Sequence, residues 1–321
     1  MEHPLPDLGE WPALDWDQWK DTAATLHMYM QVVGKTRLAL TPTQNHWWNV
    51  PFYLTARGLT TSAMHVGHGA MLDVEFDLIL HEVVCRSSRG EIRRIPLRPA
   101  PVACFFEDFT KTLADLDVPV EINPMPVEVA NPVRFDLDTV HRSYDSDAVM
   151  RFWQSLRIAE ALLKRFSTNF YGKISPVHFF WGSFDLAVTR FNGKSAPGRP
   201  GADSIQREAY SHEVISSGYW PGNGGYGRAA FYAYAAPTPQ KLEGVELKGN
   251  GGFNATLGEF VLDYNDATDS DDPVDTVLQF FEQTYSAAAD LGGWDRSTLD
   301  RHDAISADMR RKMPQTVRVS P

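Results

Sequence analysis

The chain has 321 residues, room for about two domains at roughly 150 residues each, and its 43% hydrophobic and 22% charged composition is that of a folded globular protein. With 41 acidic against 30 basic residues the formal charge is −11, which excludes the dense cationic surface of a nonspecific phosphate-backbone binder, so nucleic acid is not an expected partner. The first residues carry acid where a secretory signal needs positive charge, no run approaches the ~20 apolar residues of a membrane span, and Cys85 and Cys104 match no ligand or disulfide spacing; the expectation is a soluble, cytoplasmic protein with free thiols and no membrane partner.

Apolar residues at Trp19, Ala23, Leu26, Met30 and Val33 recur at helical spacing and predict a first helix over residues 17 to 33, with Gly34 as its cap. Strands are predicted at 52–59, 71–80, 81–87, 91–97 and 120–129, and a helix at 101–116. A second long helix spans 145–170, with Val149, Phe152, Leu156, Ala159, Leu163, Phe166 and Phe170 on one face. Strands at 179–191, 212–219, 230–236 and 258–264 follow, then a helix over 273–291 with Asp272 as N-cap and Pro273 in its first turn. Turn pairs such as Arg89-Gly90 and Asn192-Gly193, and the lack of βαβ alternation, favour antiparallel sheets. The fold class expected is α+β: two packed helix-plus-antiparallel-sheet halves at 1–140 and 141–294, then a polar tail at 295–321 whose Arg310-Arg311-Lys312 cluster reads as solvated.

The halves share a pattern. After each long helix comes Gly-Lys (Gly34-Lys35, Gly172-Lys173), then a histidine with two aromatics and a Phe-x-Leu strand: His46-Trp47-Trp48 with Phe52 and Leu54, and His178-Phe179-Phe180 with Phe184 and Leu186. This predicts a degenerate duplication in which residues 52–57 and 184–190 form equivalent strands. The strings NHWWNVPFYLTARGL (45–59), SPVHFFWGSFDLAVTRFNGK (175–194) and REAYSHEVISSGYWPG (207–222) resemble a bacterial family of uncharacterised proteins, a domain of unknown function, over Trp11 to Trp294. That resemblance implies no activity.

Several catalytic motifs fail on inspection. Gly222 to Gly227 matches GxGxxG but precedes an aromatic strand instead of a helix, so a hairpin loop is expected. Gly34-Lys35-Thr36 and Gly193-Lys194-Ser195 lack the first glycine of a phosphate loop, His81-Glu82 and His212-Glu213 lack the second histidine of HExxH, and Ser183 lacks its GxSxG frame. What remains is a concentration of histidines and aromatics. His178 and His212 are the candidate acid/base groups, with Glu213 or Asp185 as orienting carboxylate. His46, Trp47, Trp48, Trp181 and Tyr210 are candidate substrate contacts, and Arg190 a clamp for an anionic group. On unbroken strand parity Asp185 faces away from His178. The function expected is an enzyme acting on a small, even anionic, organic molecule by histidine acid/base chemistry. Against it stand a non-catalytic small-ligand-binding protein, a metal enzyme using His46, His178 and His212, and a homo-oligomer joined through its aromatic faces. Any single aromatic is most economically a core residue, and no cofactor is named by the sequence.

Overall fold

A computed structural model describes residues 5–198, 201–202, 204–222 and 226–301. The first half opens with helix α1 (Trp16–Leu40), whose N-cap Asp15 accepts from the amide of Asp17. The helix runs straight through Gly34. That residue is a point of close approach and not a cap: a Cβ there would lie 2.2 Å from Cδ2 of Trp181. After a 3-10 turn at Asn45–Trp47 come β1 (Tyr53–Leu54), β2 (Gly58–Thr60), β3 (Met64–His65), β4 (Met71–Asp77), β5 (Glu82–Ser87), β6 (Ile92–Pro96) and helix α2 (Val102–Asp115). The strand expected at 120–129 is irregular, because Pro119, Pro124 and Pro126 remove the amide donors a ladder needs.

The second half repeats that order. Helix α3 (Ser146–Ser167), capped by Asp145, leads to β7 (His178–Phe180), β8 (Asp185–Ser195), the short α4 (Ser204–Ala209), β9 (His212–Pro221) and β10 (Ala229–Ala236). Then follow β11 (Gly252–Asn254), β12 (Glu259–Asp263), α5 (Tyr264–Thr268), α6 (Pro273–Leu291) and α7 (Arg296–Leu299). Asp272 caps α6 by accepting from the Asp275 amide. The fold class is α+β with two antiparallel six-stranded sheets, ordered β1-β2-β4-β5-β6 with β3 against β4, and β11-β12-β10-β9-β8-β7. Helices α3 and α6 pack on one face of the second sheet, and one continuous apolar core runs through both halves.

The two sheets meet where Phe52 and Phe179 exchange backbone hydrogen bonds of 2.9 and 3.0 Å. This contact corrects the expected repeat. Phe52 leads into β1, the first strand of its sheet, whereas Phe184 closes the turn into β8, the second strand of its own. The tight hairpins pair Leu54 with Leu59 and Phe180 with Asp185, so the matched strings are out of step by several residues and the likeness lies in element order. Residues 295–301, expected to begin a tail, are docked: Asp300 bridges to Phe170, and the Tyr171 amide donates to Leu299 O. The Arg310-Arg311-Lys312 cluster, and residues 223–225 of the expected hairpin loop, lie outside the described residues. No helix among the described residues is long and apolar enough to cross a membrane.

Candidate functional site

The open face of the second sheet lines a cavity of about 340 Å³. Alternation along the strands aims Asp185, Ala187, Thr189 and Phe191 of β8, Val214 and Ser216 of β9, and Tyr232 and Tyr234 of β10 into it. The opposite wall comes from the first half, as His46, Trp47, Trp48 and Val50, with Leu38 from the end of α1; α4 contributes Ile205, Gln206 and Ala209, and Tyr210 follows directly after it. The site therefore lies between halves that the chain separates by more than a hundred residues.

Helix α1 holds two of the lining loops. His27 Nε2–H donates to the carbonyls of Trp181 and Gly182, both at 2.9 Å, and Gln31 makes two 2.8 Å hydrogen bonds with the backbone of Val127. Trp181 in turn donates from Nε1 to Val50 O at 2.9 Å.

Asp185 is the chemically distinctive member. It is 4% exposed, and its carboxylate accepts hydrogen bonds from the hydroxyls of Ser183 and Tyr232. Tyr232 reaches it by crossing Gly218, where a Cβ would come within 2.3 Å of the phenol. No cation among the described residues stands at ion-pair distance from Asp185, and burial pushes its carboxyl up to about 6 against the pull of the two hydroxyls. Glu259, at the start of β12 and on the same face as Tyr232, is pushed up to about 7 by burial and by the charge of Asp185. Its Oε2 is buried without a hydrogen-bond partner.

The turn at 181–184, with Phe184 at φ 61°, breaks the parity assumed for a continuous strand. Phe180 pairs with Asp185, so His178 and Asp185 share a face. Of the residues singled out from sequence, His46, Trp47, Trp48, Trp181, Asp185 and Tyr210 line the cavity. His178 does not: it lies packed against Trp48, Tyr53 and Phe180 with neither ring nitrogen hydrogen-bonded, lowered to about 4 by burial and, secondarily, by the charge of Arg37. His212 stands edge-on to His46 with ring centroids 5.5 Å apart, and pairs with Ser195 while His178 pairs with Ala187, eight residues earlier on β8. Glu213 points to the other face and accepts from Asn192 Nδ2 at 2.5 Å. Arg190 is also on that other face, over the rings of Phe166 and Tyr285 at 3.6 and 4.2 Å, donating to Phe166 O; burial lowers it to about 10. The three histidines do not converge, and among the described residues no three His, Cys, Asp or Glu side chains are placed to hold a metal ion.

Sequence reasoning missed Glu259, Tyr232, Tyr234 and Glu128. The two tyrosines carried a signal, alternating in Phe-Tyr-Ala-Tyr, but Glu259 becomes visible only through the pairing of β10 with β12. The chain belongs to a family of unknown function (DUF5996), which matches residues 11–301 and so includes the docked residues after Trp294. Neither a curated protein nor a solved structure matches it.

Proposed function

We propose that the protein is an enzyme acting on a small organic molecule bound in this cavity, with Asp185 as the group that exchanges a proton with it. The observation that supports this is the buried carboxyl itself, held by two hydroxyl donors in place of a cation and raised to about 6. A group titrating near neutrality both takes and returns a proton at working pH, a contribution of about 10²- to 10⁴-fold. Tyr232 orients it. The role expected for His178 and His212 passes to Asp185 because neither imidazole lines the cavity, while His46 remains a polar contact and Trp47, Trp48, Trp181 and Tyr210 form the apolar walls. Isomerisation, elimination and hydrolysis all fit one buried carboxyl. A cytoplasmic setting accords with two unpaired thiols, Cys85 buried and Cys104 exposed.

Native mass spectrometry of the purified chain identifies any retained molecule, whose conversion is then followed with wild type and Asp185→Asn. The expected outcome is a folded variant at least about 10²-fold slower. Wild-type turnover in that variant removes Asp185 from the chemistry, and tight retention with no conversion by wild type makes the protein a binder and not an enzyme.

A further inference from the structure

The seam between the two sheets gathers polar groups that the chain leaves unsatisfied. The Phe52–Phe179 bridge sets Tyr53 of β1 beside His178 of β7, and α1 brings Arg37 over Tyr53, its guanidinium carbon 5.9 Å from the ring centroid. Arg37 is 6% exposed, yet among the described residues it meets no carboxylate, and its side chain donates no hydrogen bond. Its Nε is enclosed; its two terminal nitrogens are not. Burial works against its charge, and the phenol of Tyr53 is the neighbour that supports it. A guanidinium taken out of water without an acid is costly, and a single ring at the outer limit of cation–π range offsets little of that. The first sheet shows how readily this chain sets acids on arginines, at Arg57 and Arg86, so their distance from Arg37 is particular to this place.

His178 adjoins the same spot. It is 1% exposed, with its ring 5.6 Å from Tyr53 and 5.7 Å from Trp48, and neither nitrogen has a hydrogen-bond partner. Burial, and next to it the charge of Arg37, hold the imidazole neutral, so it offers one N–H and one lone pair and no second positive charge. Lys173, the other cation of this region, is set over the rings of Trp48 and Phe191 at 4.9 and 4.8 Å. One fixed cation, one hydroxyl and one neutral imidazole match a singly charged acceptor better than a phosphate dianion. A planar carboxylate fits the guanidinium fork with both oxygens.

We propose that Arg37 and Tyr53 form a binding site for the carboxylate group of a small organic acid, its oxygens taken by the guanidinium fork and the phenol, beside the neutral imidazole of His178. None of these three residues lines the cavity of Asp185, so the site does not depend on the reaction assigned there. The two places adjoin, because Trp48, and Leu38 next to Arg37 on α1, belong to the cavity wall.

The test uses the full chain with 15N-labelled arginine and histidine, titrated at about pH 7 with acetate, its neutral isostere acetamide and inorganic phosphate, with ionic strength held constant by chloride. Acetate is expected to move the Arg37 Nε–H and His178 ring signals along a saturating curve, at a concentration at least ten-fold lower than acetamide needs. Arg37→Gln should raise the acetate needed to move the His178 signals at least ten-fold, and Tyr53→Phe by two- to five-fold, with acetamide unchanged in both. Asp185→Asn should leave the response to acetate as it is. Acetate acting no better than acetamide, or without saturation, overturns the site, and so does an undiminished His178 response in Arg37→Gln. Phosphate saturating the same signals at a ten-fold lower concentration than acetate overturns the carboxylate class, and loss of the response in Asp185→Asn moves the acid into the cavity and overturns a separate site. If Arg37→Gln does not fold, the wild-type comparison of acetate with acetamide and the Tyr53→Phe variant decide.

Discussion

Each sheet carries acids along one face, and the two sheets treat them differently. In the first, Asp73, Glu75 and Asp77 alternate along β4 and each meets a guanidinium: Arg86 bridges Asp73 and Glu75 at 2.9 and 2.5 Å, and Arg57 grips Asp77 at 2.5 Å. In the second, among the described residues, Asp185 meets two hydroxyls and Glu259 Oε2 no hydrogen-bond partner. Surface exposure does not explain the contrast, since Asp77 at 3% and Asp185 at 4% are equally shielded. Depth and partner together do: Asp77 lies shallowly beside the half-exposed Arg57, which with the amides of Leu80 and Ile79 overrides burial and holds the group below its ordinary range, whereas Asp185 is fully enclosed and burial prevails. A neutralised acid locks a sheet, and an uncompensated one is available to a ligand.

The largest expected consequence is functional. Asp185→Asn should slow turnover by about 10² or more while Asp77→Asn leaves it within a factor of about three, each assayed beside its melting curve. Equal losses in both would erase the distinction between the faces.

Next is the response to pH. Asp185 has a folded value of about 6, above its unfolded value of 3.8, so between these the folded state binds the extra proton and stability falls as pH rises. The groups facing it are Ser183, Tyr232 and, from β12, Glu259. A shift of this size corresponds to about 3 kcal/mol at most. Asp77 has the opposite sign, contributing stability above its unfolded value that is lost as pH falls. Denaturant unfolding at several pH values from about 2.5 to 7 should therefore show Asp77→Asn losing ground on wild type as pH rises through the range below about 4, and Asp185→Asn gaining on it between about 4 and 6. Parallel profiles for the two variants contradict the opposed signs.

Smaller effects sharpen the first-sheet side. Arg86→Met leaves Glu75, 6% exposed, with Thr55 as its remaining donor, and should cost about 1 to 3 kcal/mol in urea unfolding with no change in ligand affinity. Arg57→Gln should cost less than about 1 kcal/mol, because Arg57 is 43% exposed and Asp77 keeps the amides of Ile79 and Leu80. A larger loss from Arg57 than from Arg86 reverses the order.

Much of the frame was legible in the sequence. The apolar stripe from Val149 to Phe166 located α3, and Asp272-Pro273 before another located α6, because helical periodicity and capping chemistry are local. The aromatic strings around His46 and Tyr210 led to the cavity, and Asp185 was among the candidates. What escaped was non-local. The turn at 181–184 contains no proline and puts its left-handed residue at Phe184, so strand parity carried His178 to one face and Asp185 to the other when they share one. Arg190 read as a clamp because its charge is visible in the sequence and its direction is not; the alternation of β8 turns it toward α3 and α6. Glu259 is an isolated acid until β12 pairs with β10.

The bare flank of α1 at Gly34 makes the cavity adjustable from behind. Trp181 lies flat on that glycine and is tied at its other edge to Val50, so one added methyl displaces a ring that belongs to two sides of the chamber at once. The residue never touches the contents, yet it sets the clearance available to them. Among relatives of this chain, exchange of glycine for alanine here would act as a size filter, changing which molecules are admitted while leaving every contacting side chain the same.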